Sequence, residues 1–309
     1  MSMPRLFVDG AAPSNPCPAK LRGLPDVVEF RISLWRRKVS SAEIGGRRGR
    51  LAFSRPKRGD FLDTWWLFFA VGFGAQLVDG TLGMAFGVLS NTALLAIGLP
   101  PAHASALVHT AEIFTTSASA ASHIYHRNVD WRLMARLGIT GVLGAILGAW
   151  VLSNIEVGAA RRFVYIYLLI MGIYILWKSL RIVLAPRPPA GWTSVLGFGA
   201  GFLDATGGGG WGPMTTSTLV GSGHAPRYSV GSVNTAEFFV TVAAATTFFA
   251  ELGAVPLDHF LPLVLGGVLA APFGGWIVKH VPARGLMTAV GCLIVRVSIF
   301  QLLRAFKVL

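Results

Sequence analysis

The sequence predicts an all-α polytopic membrane protein of about eight transmembrane helices, made from a duplicated four-helix unit with broken or re-entrant helices. Three observations carry this expectation. Charged residues make up only 13% of the 309-residue chain and mean hydropathy is +0.59, whereas a soluble domain carries roughly 25% charged residues. Apolar stretches recur from Trp65 to the C-terminus, many of them of a length that crosses hydrocarbon. The same sparse set of polar residues also returns at a fixed spacing of 125.

Charge is unevenly placed. Up to Asp60 there are thirteen Lys/Arg and five Asp/Glu, against fourteen and nine in the rest of the chain. Residues 1–60 are therefore read as a basic, disordered cytoplasmic extension, with clusters at Arg36-Arg37-Lys38, Arg47-Arg48-Gly49-Arg50 and Arg55-Pro56-Lys57-Arg58. No uninterrupted apolar run with a small-residue cleavage site follows these charges, as a signal peptide would require. The net charge of +13 raises nucleic acid as a partner. No aromatic-interleaved basic fold accompanies it, so nucleic acid is set aside. A juxtamembrane basic segment reads instead as a positive-inside signal in contact with anionic membrane lipid. Cys17 and Cys292 form neither a disulfide framework nor a metal spacing, and are read as a loop thiol and a buried packing thiol.

The apolar segments run roughly over 65–79, 82–98, 103–125, 134–154, 162–182, 193–204, 213–223, 228–251, 259–279 and 285–305. Four of them, 65–79 with 82–98 and 193–204 with 213–223, are short and occur in adjacent pairs joined at a Gly-rich point. Each pair reads as one interrupted crossing, or as a crossing plus a re-entrant half-helix. The pairs occupy matching places in the repeat. With Gly72-Phe73-Gly74-Ala75 set on Gly197-Phe198-Gly199-Ala200, Asp79 falls on Asp204, Thr81 on Thr206, Gly83 on Gly208 and Thr110-Ala111-Glu112 on Thr235-Ala236-Glu237. After a one-residue slip, Gly141 through Trp150 falls on Gly267 through Trp276. Chance similarity between greasy segments would share Leu and Ala, not Asp, Thr and Glu. The chain thus divides into the extension (1–60), a first transmembrane repeat (61–190) and a second (191–309). A basic N-terminus and the positive loops after 125 and 178 fit parallel repeats with both termini cytoplasmic. The placement of Lys279, Arg284, Glu251 and Asp258 fits an inverted repeat, and both remain open.

Candidate site residues follow from what hydrocarbon tolerates. Thr206-Gly207-Gly208-Gly209-Gly210-Trp211-Gly212-Pro213 separates two apolar segments, and Pro213 suits the first turn of a helix. Glycines let successive N–H groups turn inward, and a helix N-terminus favours an anion. Thr81 and Gly83 stand at the equivalent point of the first copy. These residues, with Asn234, are the candidate substrate contacts; the plainer alternative is close helix packing by small residues. A carboxylate at the bilayer centre costs about 2.5–3.5 kcal/mol on insertion scales, so Glu112 and Glu237 are functional candidates. An acid buried there can carry a proton reversibly. Asp79 and Asp204, at segment ends, read equally well as proton carriers and as caps of broken helices. His109 lies three residues before Glu112, on the same helical face, and joins the proton-coupling or gating set. Arg296 reads as snorkelling or ion-paired. No histidine grouping fits a metal.

These residues resemble the sulfite exporter TauE/SafE family over about 65–305. The resemblance rests on Gly197-x-Gly199-x-x-x-x-Asp204-x-Thr206-Gly207-Gly208-Gly209-Gly210-x-Gly212-Pro213 and on Ser232-Val233-Asn234-Thr235. His126-Arg127-Asn128-Val129-Asp130 is also similar to a family loop. The first copy, Gly80-Thr81-Leu82-Gly83-Met84, lacks the family's glycine cluster. The resemblance implies a secondary transporter, not an enzyme, without cofactors. It implies proton-coupled export of sulfite, a related sulfur oxyanion or an organosulfonate from the bacterial cell inner membrane. Its partners would be a small inorganic or organic sulfur anion and membrane lipid, with a homodimer left open. The rival reading is a cation channel or transporter built on the paired carboxylates.

Overall fold

Each of the ten apolar stretches forms a helix. The computed structural model describes residues 44–45, 50–51, 58–82, 84–180, 191–253, 257–280 and 283–306. The helices are α1 (Arg58–Leu82), α2 (Phe86–Ala96), α3 (Pro101–Tyr125), α4 (Trp131–Asn154), α5 (Val157–Leu180), α6 (Trp192–Gly207), α7 (Trp211–Gly221), α8 (Pro226–Leu252), α9 (Leu257–His280) and α10 (Ala283–Ala305). Within the extension, only the two-residue antiparallel pair β1 (Ile44–Gly45) and β2 (Arg50–Leu51) and the start of α1 fall among the described residues. Cys17 lies outside them.

Local chemistry sets the helix ends. Proline opens α3 and α8, where its missing N–H and fixed φ cost nothing. The Asp130 carboxylate accepts from the Arg132 and Leu133 amides and caps α4. The turns after α2 and α7 are built alike. Gly98 and Gly223 both take positive φ (106° and 82°), and the amides of Leu99 and His224 donate to the carbonyls of Leu94 and Leu219, both at 3.1 Å.

The outer surface is that of a membrane-embedded protein. α4, α5, α8 and α10 contain stretches long and apolar enough to cross a membrane by length and composition. On α4, Ile139, Leu143 and Trp150 are exposed, as are Ile166, Ile170 and Ile173 on α5, while the glycines Gly141, Gly144 and Gly148 of α4 point inward. α3 is not in that group of four. Its Ser, Thr and His residues place it inside the bundle, with Ala104–Glu112 buried throughout. Cys292 is exposed on the apolar surface, a correction to its reading as a buried thiol: its helix, α10, turns Ile294 and Ser298 inward instead.

Helices at matching places in the repeat meet one another head to tail. The start of α8 lies against the end of α3, where Arg227 Nε donates to Asn128 Oδ1 (2.5 Å) and Asn234 Nδ2 to Ser119 Oγ (3.1 Å). Towards the other end of that pair, Phe248 packs on His109. α5 and α10 are likewise antiparallel, with Gly172 against Val295 and Ser179 against Thr288. α1 runs parallel to α9 and α4 runs parallel to α6.

These parallel pairs are held by backbone approach. A Cβ on Gly72 would strike the Leu263 carbonyl, and one on Gly266 the Phe69 carbonyl. In the equivalent pair, a Cβ on Gly201 would strike the Gly141 carbonyl. Gly199, two residues away, meets nothing within 4 Å. Gly201→Leu should therefore abolish monodisperse protein in detergent size-exclusion chromatography, whereas Gly199→Leu should elute as the parent does.

Candidate functional site

The two helix breaks meet at the centre of the bundle. A helix ending among apolar side chains leaves N–H and C=O groups without intrahelical partners, at several kcal/mol for each one unsatisfied in hydrocarbon. Here nearby side chains supply the partners. Asp79, near the end of α1, accepts at Oδ1 from the amides of Ala85 (2.6 Å) and Phe86 (3.1 Å), at the start of α2. Asp204 does the same in the second copy, accepting at Oδ1 from the Trp211 amide (2.9 Å). Both aspartates thus cap the helix that follows their break.

The glycine run serves the approach of the breaks. Gly208, Gly209 and Gly210 have φ of 71°, 138° and 146°, which side chains other than glycine rarely adopt. A Cβ on Gly209 would enter the backbone at Gly87–Val88, and one on Gly207 would enter the Tyr167 ring. Two side chains hold the freed carbonyls. Asn91 Nδ2 donates to Gly207 O (2.5 Å), and the Tyr167 hydroxyl donates to Gly209 O (2.7 Å). The first copy, bulkier in sequence, supplies Gly87 as its close-contact residue.

Beside this junction lies a cavity of about 280 Å³. Asp79, Glu112, Asp204 and Glu237 all line it, as do Gly87, Val88, Gly210 and Gly212 from the two breaks. Glu112 is 5% exposed and its Oε2 has no hydrogen-bond partner. From the carboxyl groups the cavity runs along α3 and α8 past Thr115, Ser119, Asn234 and His123. Among the described residues no Lys or Arg lines it. Gly87, Val88 and Gly212 are first-turn residues, whose amides a helix does not pair internally.

His109 faces the site from the closed side. Its Nδ1 lies 2.8 Å from the Ser105 carbonyl, an acceptor only, so Nδ1 carries a hydrogen. Its Nε2 lies 3.2 Å from Asp204 Oδ2. A bond across that gap needs one proton, held by either partner. His109 and Asp204 therefore share a proton position in a fully enclosed setting.

Of the residues singled out from sequence, Asp79, Glu112, Asp204, Glu237, Gly210 and Asn234 share the cavity wall, and His109 touches it through Asp204. Thr206 turns its hydroxyl back to the Phe202 carbonyl (2.7 Å), and Gly207, Gly208 and Gly209 form the contact between the breaks instead of the wall. Thr81 is helical backbone at the end of α1, with its side chain outside the described residues, as is Gly83 altogether. Arg296 is exposed and away from the cavity. Asn91 and Tyr167 were not singled out. An asparagine within an apolar helix was a signal for the first; nothing distinguishes the second among its aromatic neighbours.

Comparison with known proteins gives the family. The sequence profile described as Sulfite exporter TauE/SafE matches residues 68–300, which include every cavity-lining residue. The chain belongs to this family. It is also 41% identical over 244 residues to the "Probable membrane transporter protein YtnM" of Bacillus subtilis (strain 168), covering 75% of this chain and 80% of that protein. No solved structure matches the chain. Family and relative together identify a membrane transporter.

The cap geometry gives a stability test. Asp204→Ala removes the acceptor for the Trp211 amide and should destabilise the detergent-purified protein by roughly 0.5–2 kcal/mol, the usual cost of a lost cap. Asp204→Asn keeps an oxygen there and should retain most of the melting temperature. An equal loss in both variants would show that the charge, not the acceptor, holds the break.

Proposed function

We propose that the protein is a secondary transporter that exports a small sulfur-containing anion, sulfite or an organosulfonate, across the bacterial inner membrane with proton coupling. The observation that carries this reading is the single cavity where first-turn amides of two broken helices and four carboxyl groups converge. The family's description as a sulfite exporter supports both the cargo and the direction. The anion is held by the amides of Gly87, Gly210 and Gly212 and by the Asn234 side chain. Thr206 and Gly207–Gly209 keep the break in shape.

Proton coupling follows from electrostatics. At an effective dielectric of 20, an anion about 5 Å from an ionised carboxylate is repelled by roughly 3 kcal/mol. Loading a proton on Glu112 or Glu237 removes that repulsion, so anion and proton bind together. In this reading, labelled sulfite in proteoliposomes shows saturable flux that an imposed pH gradient accelerates. Glu112→Gln and Glu237→Gln should each lose at least tenfold of the gradient-driven flux while keeping sulfite–sulfite exchange. Absence of saturable flux for sulfite and for simple alkanesulfonates would overturn the cargo.

Helix direction supports a specific topology. α7 ends beside the last turn of α5, where Lys178 Nζ contacts Ser217 Oγ, so α6 and α7 leave by the face at which they came in. α2 ends where Gln301 Nε2, in the last turns of α10, donates to the Leu95 carbonyl (3.3 Å). We therefore assign six crossings (α3, α4, α5, α8, α9, α10) and two re-entrant hairpins (α1–α2, α6–α7), in two inverted repeats. This replaces eight crossings in parallel repeats. Basic residues stand at both faces, Arg127, Arg132 and Arg227 at one and Arg161, Arg162 and Arg304 at the other. We put the face of α1's start in the cytoplasm because the sequence that precedes α1 is basic. Reporter fusions after Arg127 and after Ala305 should report opposite sides of the membrane; eight crossings would put them on the same side.

The four carboxyl groups without a Lys or Arg among the described residues favour a second reading, a cation pathway. It predicts sodium or proton current from the purified protein with no sulfur anion present.

A further inference from the structure

We infer that the cavity has a second access path, shut in this conformation, that leads to the opposite face between α3 and α8 and is closed by Phe248 packed over His109. The inference deepens the transporter reading of the cavity and rests on it. The 125-residue repeat relates one part of the cavity wall to another.

The central part of the wall maps onto itself. Asp79 and Asp204 exchange, as do Ala85 and Gly210, Gly87 and Gly212, Val88 and Pro213, and Glu112 and Glu237; each of these lines the cavity. A site that maps onto itself lies on the axis relating the two halves. The arm leading out of it does not. Thr115, Thr116, Ser119, His123, Val230 and Asn234 line the open arm, and their counterparts are Val240, Thr241, Ala244, Phe248, Ser105 and His109. All six counterparts are 0% exposed. Because α3 and α8 are antiparallel, the counterpart arm runs from the same centre to the other face.

The plug differs from the open arm at five of these six positions, and two of the changed side chains face each other. In the open arm Asn234 Nδ2 and His123 Nε2 are 3.3 Å apart, a hydrogen-bonded polar pair on the cavity wall. At the counterpart positions His109 and Phe248 have ring centroids 6.0 Å apart. His109 is tied to Ser105 and to Asp204, and Ser105 Oγ donates to the Ala205 carbonyl (2.8 Å). The plug is thereby fastened to the α6 side of the break. Opening it requires the His109–Asp204 bond to part and Phe248 to swing away, so occupancy of the central site and closure of the path act on one side chain, Asp204. A duplicated bundle with antiparallel halves can expose its central site to either face by exchanging the packing of the two halves.

The test is thiol accessibility and uses no cargo, so it stands or falls separately from sulfite flux. In a Cys17→Ser/Cys292→Ser background, Ser119→Cys, Ser105→Cys and Ala244→Cys are each exposed to a membrane-impermeant methanethiosulfonate ammonium reagent. The reagent is applied to right-side-out and to inside-out vesicles. The expected result is that Ser119→Cys reacts from one face. Ser105→Cys and Ala244→Cys should react only from the other, at least tenfold faster when combined with Phe248→Ala. Reaction of Ser105→Cys or Ala244→Cys from the same face as Ser119→Cys would overturn the second path. Protection of both from both faces in the Phe248→Ala background would do the same. Ser105→Cys is close to isosteric, so its result holds even where Ala244→Cys or Phe248→Ala lowers the yield of folded protein.

Discussion

Everything at the centre of this bundle depends on finding partners for backbone groups that a broken helix sets free in an apolar interior. An unsatisfied amide or carbonyl there costs several kcal/mol, comparable with a large part of a protein's net stability. The chain meets the demand twice with the same device, an aspartate at the end of one helix accepting from the first amides of the next. The carbonyls of the second break are met by Asn91 and Tyr167, which reach in from α2 and α5. Each break is therefore braced by the other half of the chain or by a helix beside it, and neither could exist alone. The left-handed glycines at 208–210 let the two breaks touch backbone to backbone, which no side chain there would allow.

This bracing explains the unusual character of the cavity. A wall made of helix starts and capping acids offers hydrogen-bond donors and proton sites together, in place of a fixed positive charge. A lysine or arginine would hold an anion tightly and constantly. In the proposed transport reading, amides and carboxyl groups would hold it only while protons are present, so release would be built into the same groups as capture. The contact between His109 Nε2 and Asp204 Oδ2 joins a capping acid to the neighbouring helix, and so ties the break to α3.

Much of the fold was legible in the sequence because hydrocarbon punishes exceptions. All ten helices lie where apolar stretches end at Gly, Pro or charge, within a few residues at most boundaries, the start of α1 being the widest difference. Acids in such a chain stand out, and four of those singled out meet at one cavity. Of the two readings of Asp79 and Asp204, proton carrier and cap, the hydrogen bonds show the cap, and both residues also line the cavity. Other features were hidden. Tyr167 acts through a direct contact made across 42 residues of sequence, from α5 to the break after α6, not through any local pattern. Helix direction was equally hidden, because an interrupted crossing and a hairpin share one hydropathy profile. Only pairs such as Arg227 with Asn128 and Phe248 with His109 reveal that α3 and α8 run opposite ways.

The exchange of partners between halves has a consequence for biosynthesis. α1 rests mainly on α9, and α4 on α6 and α8, so α4 lacks its neighbours until α8 has been made and α1 lacks its own until α9 (Leu257–His280) has been made. During that interval the grooves around Gly72 and Gly144 stay open to lipid, and the polar face of α3 has nothing to shelter it. The nascent first half must wait in the bilayer as an unfinished intermediate, dependent on whatever insertase or chaperone keeps such helices from being cleared before their counterparts arrive.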